Sequence, residues 1–132
     1  MGIDGFTAAG KTSFGHELAE QISRAGRPTL RPCLDDFKKP WRDRHLYDGV
    51  FAFRPEINDY WDFRIWINVD PETSVRRGGE RDQYWAGSEA ETLHRTRYLH
   101  AVHLYLAQVD PLKLVDVVID NTDFSRPRLL RY

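Results

Sequence analysis

Apolar residues along this chain follow two periods, and their alternation outlines a fold. Gly2-Ile3-Asp4 forms the stub of a strand. Phe14, Leu18 and Ile22 then recur at i, i+4 and i+8, the period of a helix buried along one face. Gly26 suits the left-handed residue that ends such a helix, and Pro28 prevents its continuation. Residues 29–34 read as a short strand, weakened by Pro32, which cannot donate to a ladder. Residues 38–47 are polar and aromatic around Pro40 and read as a loop, and residues 50–53 are apolar again. Residues 63–69 have the β-branched and aromatic content of a strand. Asp70-Pro71-Glu72 predicts a helix start: a capping residue, a proline in the first turn, then an acid. Leu99, Val102, Leu106 and Val109 make a second helical stripe. Residues 115–119 are the last strand candidate, and Arg126-Pro127-Arg128 reads as a tail. Strands alternating with helices predict an α/β fold, a parallel sheet flanked by helices.

Composition narrows the class. A length of 132 residues predicts a single domain spanning 1–132. Apolar residues at 41% and charged residues at 30% suit a soluble globular chain. The formal net charge of -1 implies no general attraction to nucleic acid or to an anionic membrane. Cys33 stands alone, which rules out an internal disulfide and reads as a small buried residue. No apolar run approaches the roughly 20 residues that span a bilayer, and the N-terminus lacks the apolar core of a signal peptide. The expected location is cytoplasmic.

The most specific signal is Gly5-Phe6-Thr7-Ala8-Ala9-Gly10-Lys11-Thr12, which fits the P-loop pattern Gly-x-x-x-x-Gly-Lys-Thr and is followed by Ser13 and an amphipathic helix. Glycines let backbone N–H groups converge on an anion without side-chain obstruction. The helix N-terminus adds unsatisfied N–H groups and the positive end of a dipole. Lys11 has the reach to pair with β- and γ-phosphates, and the Thr12 hydroxyl can sit on Mg²⁺. These residues predict a site for a nucleoside triphosphate, ATP with Mg²⁺.

Phosphoryl transfer also needs acids to hold the metal and to orient or deprotonate an acceptor hydroxyl. Asp35 and Asp36 follow the second strand candidate, where doubly wound folds place ligand groups. Adjacent residues on a strand point opposite ways, so one of the two would face the site. Asp48 is the third candidate, and a solvated turn is the plain alternative for each. Arg76, Arg77 and Arg81 offer planar forks suited to phosphate oxygens, or a solvated helix face paired with Glu72 and Glu80. His100 and His103 can share a helix face, but no third ligand accompanies them. Trp61, Trp66 and Trp85 read as core or interface, Tyr105 and Leu106 as core, and Phe37 and Trp41 as groups that could stack on a base.

Taken in order, these segments resemble the uridine kinase family of P-loop nucleoside kinases. Leu34-Asp35-Asp36-Phe37 looks like the family's strand-end motif, and the resemblance makes Asp35 the catalytic base. Asp48-Gly49-Val50-Phe51-Ala52-Phe53 looks like its acid-Gly-apolar segment, with Asp48 at the Mg²⁺ site. Residues 58–82 are similar to its strand and arginine-rich lid, which puts Arg77 and Arg81 over the phosphates. Residues 98–110, with Asp116-Val117-Val118-Ile119, resemble its final helix and strand. The departures are a short first strand, Lys38 where many relatives carry tyrosine, and Tyr47 running straight into Asp48. In the family a long stretch separates those two residues, so the sequence predicts a chain break or a deletion near 47–48, with part of the central region lacking.

The resemblance implies a P-loop NTPase-like fold and transfer of the ATP γ-phosphoryl group to a small-molecule acceptor, a nucleoside hydroxyl first. Asp35, Lys11, Arg77 and Arg81 would act in catalysis. Gly5, Thr7, Ala8, Ala9, Gly10, Lys11, Thr12 and Ser13 would bind the nucleotide, and Thr12, Asp48 and Asp35 would hold the metal. A kinase for another small acceptor and a nucleotide-binding module without catalysis are the alternatives. Neither nucleic acid nor membrane is an expected partner, and a homo-oligomer stays open.

Overall fold

The computed structural model describes residues 1–31 and 51–132. Among the described residues, four strands form one sheet in the order β1-β2-β3-β4. They are β1 (Gly2–Gly5), β2 (Arg64–Asn68), β3 (Val117–Asp120) and β4 (Arg128–Arg131). The first three run parallel, and β4 lies antiparallel to β3. The chain is therefore mixed α/β with a mostly parallel sheet, as the alternation of periods predicted.

Register sorts the sheet into two faces. Ile3, Ile65 and Val117 stand in line, as do Asp4, Trp66 and Val118. Neighbouring residues on a strand point to opposite sides. Ile65, Trp66 and Ile67 are all buried, so β2 is covered on both faces, as central parallel strands are. Ile3 lies beneath helix α1 (Lys11–Arg24), close to Gly15. Trp66 on the other face meets Tyr105 of helix α5 (Leu99–Val109), ring centroids 6.4 Å apart. Each large apolar side chain removed from water here contributes roughly 1.5–3 kcal/mol.

Other helices are α2 (Pro55–Asn58), α3 (Pro71–Ala86), α4 (Ala90–Leu93) and α6 (Pro111–Leu114). A π-helical turn, His94–Tyr98, joins α4 to α5. The start of α3 is as the sequence predicts. Asp70 accepts from the Thr73 amide at 2.9 Å, and Pro71 occupies the first turn, where its missing N–H costs nothing. Gly26 beyond α1 has φ 80, the left-handed conformation expected of it.

Two expectations fail locally. The strand expected over 29–34 is not formed at residues 29–31, where Leu30 is almost fully exposed and Thr29 instead bonds Ser23 and the carbonyl of Ala19. Among the described residues, no strand pairs with the backbone there. Conversely, Arg128, read as tail, begins β4, and its side chain pairs with Asp120 across the sheet. Trp85 is half exposed at the end of α3. Cys33, Asp35, Asp36, Phe37, Lys38, Trp41, Asp48 and the 47–48 junction lie outside the described residues. Among the described residues, no helix is long and apolar enough to cross a membrane.

Candidate functional site

The turn between β1 and α1 gathers the residues of the Gly-x-x-x-x-Gly-Lys-Thr pattern. Its backbone is unusual at three points. Gly5, Ala8 and Gly10 have φ of 147, 53 and 88. At Gly5 a side chain is impossible, because a Cβ would lie 2.0 Å from the Ile67 carbonyl oxygen of the neighbouring strand. Gly10 is the residue ahead of α1, is left-handed, and has no side chain with which to cap it. The first N–H groups of α1 have no helical carbonyl to meet, and the residue ahead of the helix offers no capping side chain, the arrangement that suits an anion.

The carbonyls of this turn are held by the protein. Lys11 Nζ donates to Gly5 O at 2.9 Å and to Phe6 O at 2.6 Å. Ser74 Oγ, on α3, donates to Thr7 O at 2.6 Å. Asn121 Nδ2, just after β3, donates to Ala9 O at 2.8 Å. Gly10 O accepts from the Phe14 amide within α1. Two amides of the turn are also engaged, Gly5 with Asp4 and Ala9 with Phe6 O at 3.2 Å; a ligand would meet the amides around Gly10 and the start of α1. Thr12 and Ser13 are exposed in the first turn of α1.

Asp4 lies directly beneath. It is fully buried and accepts from the amides of Gly5 and Ala52 and from Tyr105 Oη at 2.8, 2.9 and 2.8 Å. Burial pushes its carboxyl up to about 6, against the opposing pull of Lys11 and of the three donors. Tyr105 Oη also accepts from the Phe53 amide at 3.1 Å, so segment 51–53 is fastened to both β1 and α5. The same burial, reinforced by the Asp4 carboxylate, raises the Tyr105 phenol well above its usual range.

Arg77 and Arg81 both sit on α3 but face different partners. Arg77 donates to the carbonyls of Asn121 and Thr122 at 3.0 and 2.6 Å, and its guanidinium lies 3.8 Å from the centre of the Phe124 ring. Phe124 in turn borders Gly10, so Arg77 is joined to the turn through the 121–124 segment. Arg81 holds Asp82 through two bonds, at 2.7 and 2.9 Å. Asp82 bonds the buried His94 ring at 2.7 Å, and Arg81 foremost, with His94 assisting, lowers its carboxyl to about 2. His100 and His103 are exposed.

The structure thus brings Gly5, Thr7, Ala8, Ala9, Gly10, Lys11, Thr12 and Ser13 into one turn with Arg77 nearby, and places Arg81 one helical turn farther along α3. Sequence reasoning missed Asp4, Ser74 and Asn121. An acid ending an apolar strand next to glycine was a legible signal for Asp4. Ser74 and Asn121 gave none, since their partners lie 67 and 112 residues away. Among the described residues no group of three or more His, Cys, Asp or Glu could hold a metal. Magnesium asks less, commonly one or two protein oxygens alongside phosphates and water, and the exposed Thr12 hydroxyl fits that role. Compared with protein-family models, curated proteins and solved structures, the chain finds no match.

Proposed function

We propose that the chain is a P-loop phosphotransferase, similar to uridine kinases, that moves the γ-phosphoryl group of ATP to a nucleoside or similar small-molecule hydroxyl. The observation that carries this reading is the turn from β1 into α1, with left-handed Gly10 ahead of an uncapped helix and Lys11 folded back over it. Phosphates entering there would meet amides on one side and could draw Lys11 Nζ from the Gly5 and Phe6 carbonyls. Its charge would then follow the terminal phosphates, where negative charge builds during transfer. Arg77 and Arg81 would add positive charge from α3. Thr12 would meet the magnesium ion that accompanies the triphosphate, with Asp48 and Asp35 as the acids assigned by the resemblance. Magnesium would neutralise phosphate charge. Asp35 would accept the proton of the acceptor hydroxyl, a smaller contribution than positioning in a loose transition state.

The test is transfer from γ-labelled ATP to a panel of nucleosides. Label should appear on a nucleoside monophosphate, and Lys11→Ala should cut the rate by roughly 10²- to 10³-fold. Tight ATP binding with no labelled product from any acceptor would favour a binding module instead. Transfer by Lys11→Ala at the wild-type rate would remove the turn from the active site.

A further inference from the structure

We infer that Ser74 and Asn121 are positioning residues that shape the phosphate-binding turn from behind, an inference that rests on the proposed function. Neither needs to touch the nucleotide. Each donates one hydrogen bond to a carbonyl of the turn, Ser74 Oγ to Thr7 O and Asn121 Nδ2 to Ala9 O. A peptide unit is planar, so fixing the direction of a carbonyl fixes the N–H of the next residue in the opposite sense. Holding Thr7 O therefore sets the Ala8 amide, and holding Ala9 O sets the Gly10 amide. Those two residues have positive φ, the conformation that turns successive amides toward one anion. Ala8 pays for that conformation, since a residue with a Cβ is disfavoured there.

Both side chains are themselves held. Ser74 is buried in the second turn of α3. Asn121 is buried, its amide donates to Asn68 O at 2.8 Å, and its own carbonyl accepts from Arg77. The 120–122 segment is fixed further by Asp120, which takes the Thr122 amide and Arg128. Ser74 and Arg77 lie three residues apart on α3, so one helix acts on the turn twice: directly at Thr7, and at Ala9 through Asn121. Preorganised amides spare the ligand the cost of ordering them, so loss of either brace should appear as weaker phosphate binding.

The experiment measures tripolyphosphate and ATP affinity by calorimetry for wild type, Ser74→Ala, Ser74→Thr and Asn121→Asp, with the KM for the acceptor alongside. Ser74→Ala deletes the donor, and Asn121→Asp replaces it by an acceptor of equal size. Each should weaken tripolyphosphate and ATP by the same factor, about tenfold, and leave the acceptor KM unchanged. Ser74→Thr keeps a hydroxyl and should restore binding. Wild-type affinity in both Ser74→Ala and Asn121→Asp would overturn the inference while leaving the proposed function standing. A loss in Ser74→Thr equal to that in Ser74→Ala would assign Ser74 to packing and overturn it likewise. A wild-type protein that binds no tripolyphosphate and no ATP would instead overturn the proposed function itself.

Discussion

Asp4, next to last in β1, has its carboxyl out of water, bonded to Gly5, Ala52 and Tyr105. Those bonds do not compensate for desolvation, because the carboxyl rises from 3.8 to about 6. A group that holds its proton more tightly when folded favours the fold at low pH. Its contribution is fully present below about pH 4 and is lost as pH rises through 6, a change on the order of 3 kcal/mol. Urea unfolding of wild type and Asp4→Asn from pH 4 to 7 should show the variant gaining on the wild type as pH rises. A difference between them that does not vary with pH would mean that Asp4 titrates as it does in the unfolded chain. The same carboxyl, when ionised, interacts favourably with the Lys11 charge.

At the scale of elements, α3 is joined to the helical run that follows it by one buried pair. Asp82 and the His94 ring meet at 2.7 Å, with the ring against Gly78 of α3. Asp82→Ala would leave the buried His94 nitrogen without this partner, which should cost about 2 kcal/mol at neutral pH. The dependence on pH runs opposite to that of Asp4. Asp82 is lowered from 3.8 to about 2, so its contribution is present above pH 4 and fades as pH falls toward 2. Denaturant curves at pH 7, 4 and 2.5 should therefore show the gap between wild type and variant narrowing only at the lowest value. A gap of the same size at pH 2.5 would assign the loss to packing rather than to the Asp82 carboxylate. The pairing also keeps Arg81 on the exposed side of α3, whereas Arg77 is drawn to the 121–124 segment.

Across the whole molecule, the candidate site draws on β1, α1, α3 and the segment after β3. A ligand bound there should stabilise the fold as a unit. At a hundredfold excess over Kd, binding to the folded state alone adds about 2.7 kcal/mol, on the order of 10 °C in Tm for a domain of this size. Thermal unfolding with saturating ATP and Mg²⁺ should show that increase. It should shrink when the metal is chelated and nearly vanish in Lys11→Ala. An unchanged Tm for the wild type at millimolar ATP would count against a triphosphate site.

The sequence by itself determined what local chemistry controls. The 3.6-residue stripe of Phe14, Leu18 and Ile22 gave α1, Asp70-Pro71 gave the start of α3, and the β-branched run gave β2. The glycines and Lys11 gave the turn, because the backbone conformation it needs restricts residue types within a few positions. Reading Asp35 and Asp48 as site residues rests on the sequence alone. Tertiary structure decided the rest. β4 has all four residues exposed, so it carries no alternation to read; pairing with β3 is what makes it a strand. Residues 29–31 had strand-like content and, among the described residues, no such partner. Asp4 with Tyr105, Ser74 with Thr7 and Asn121 with Ala9 are single hydrogen bonds between residues 101, 67 and 112 positions apart. A contact of that kind leaves no period in the sequence, since it needs one suitable side chain at one place, and only the packing of α3, α5 and β3 around the turn brings that place within reach.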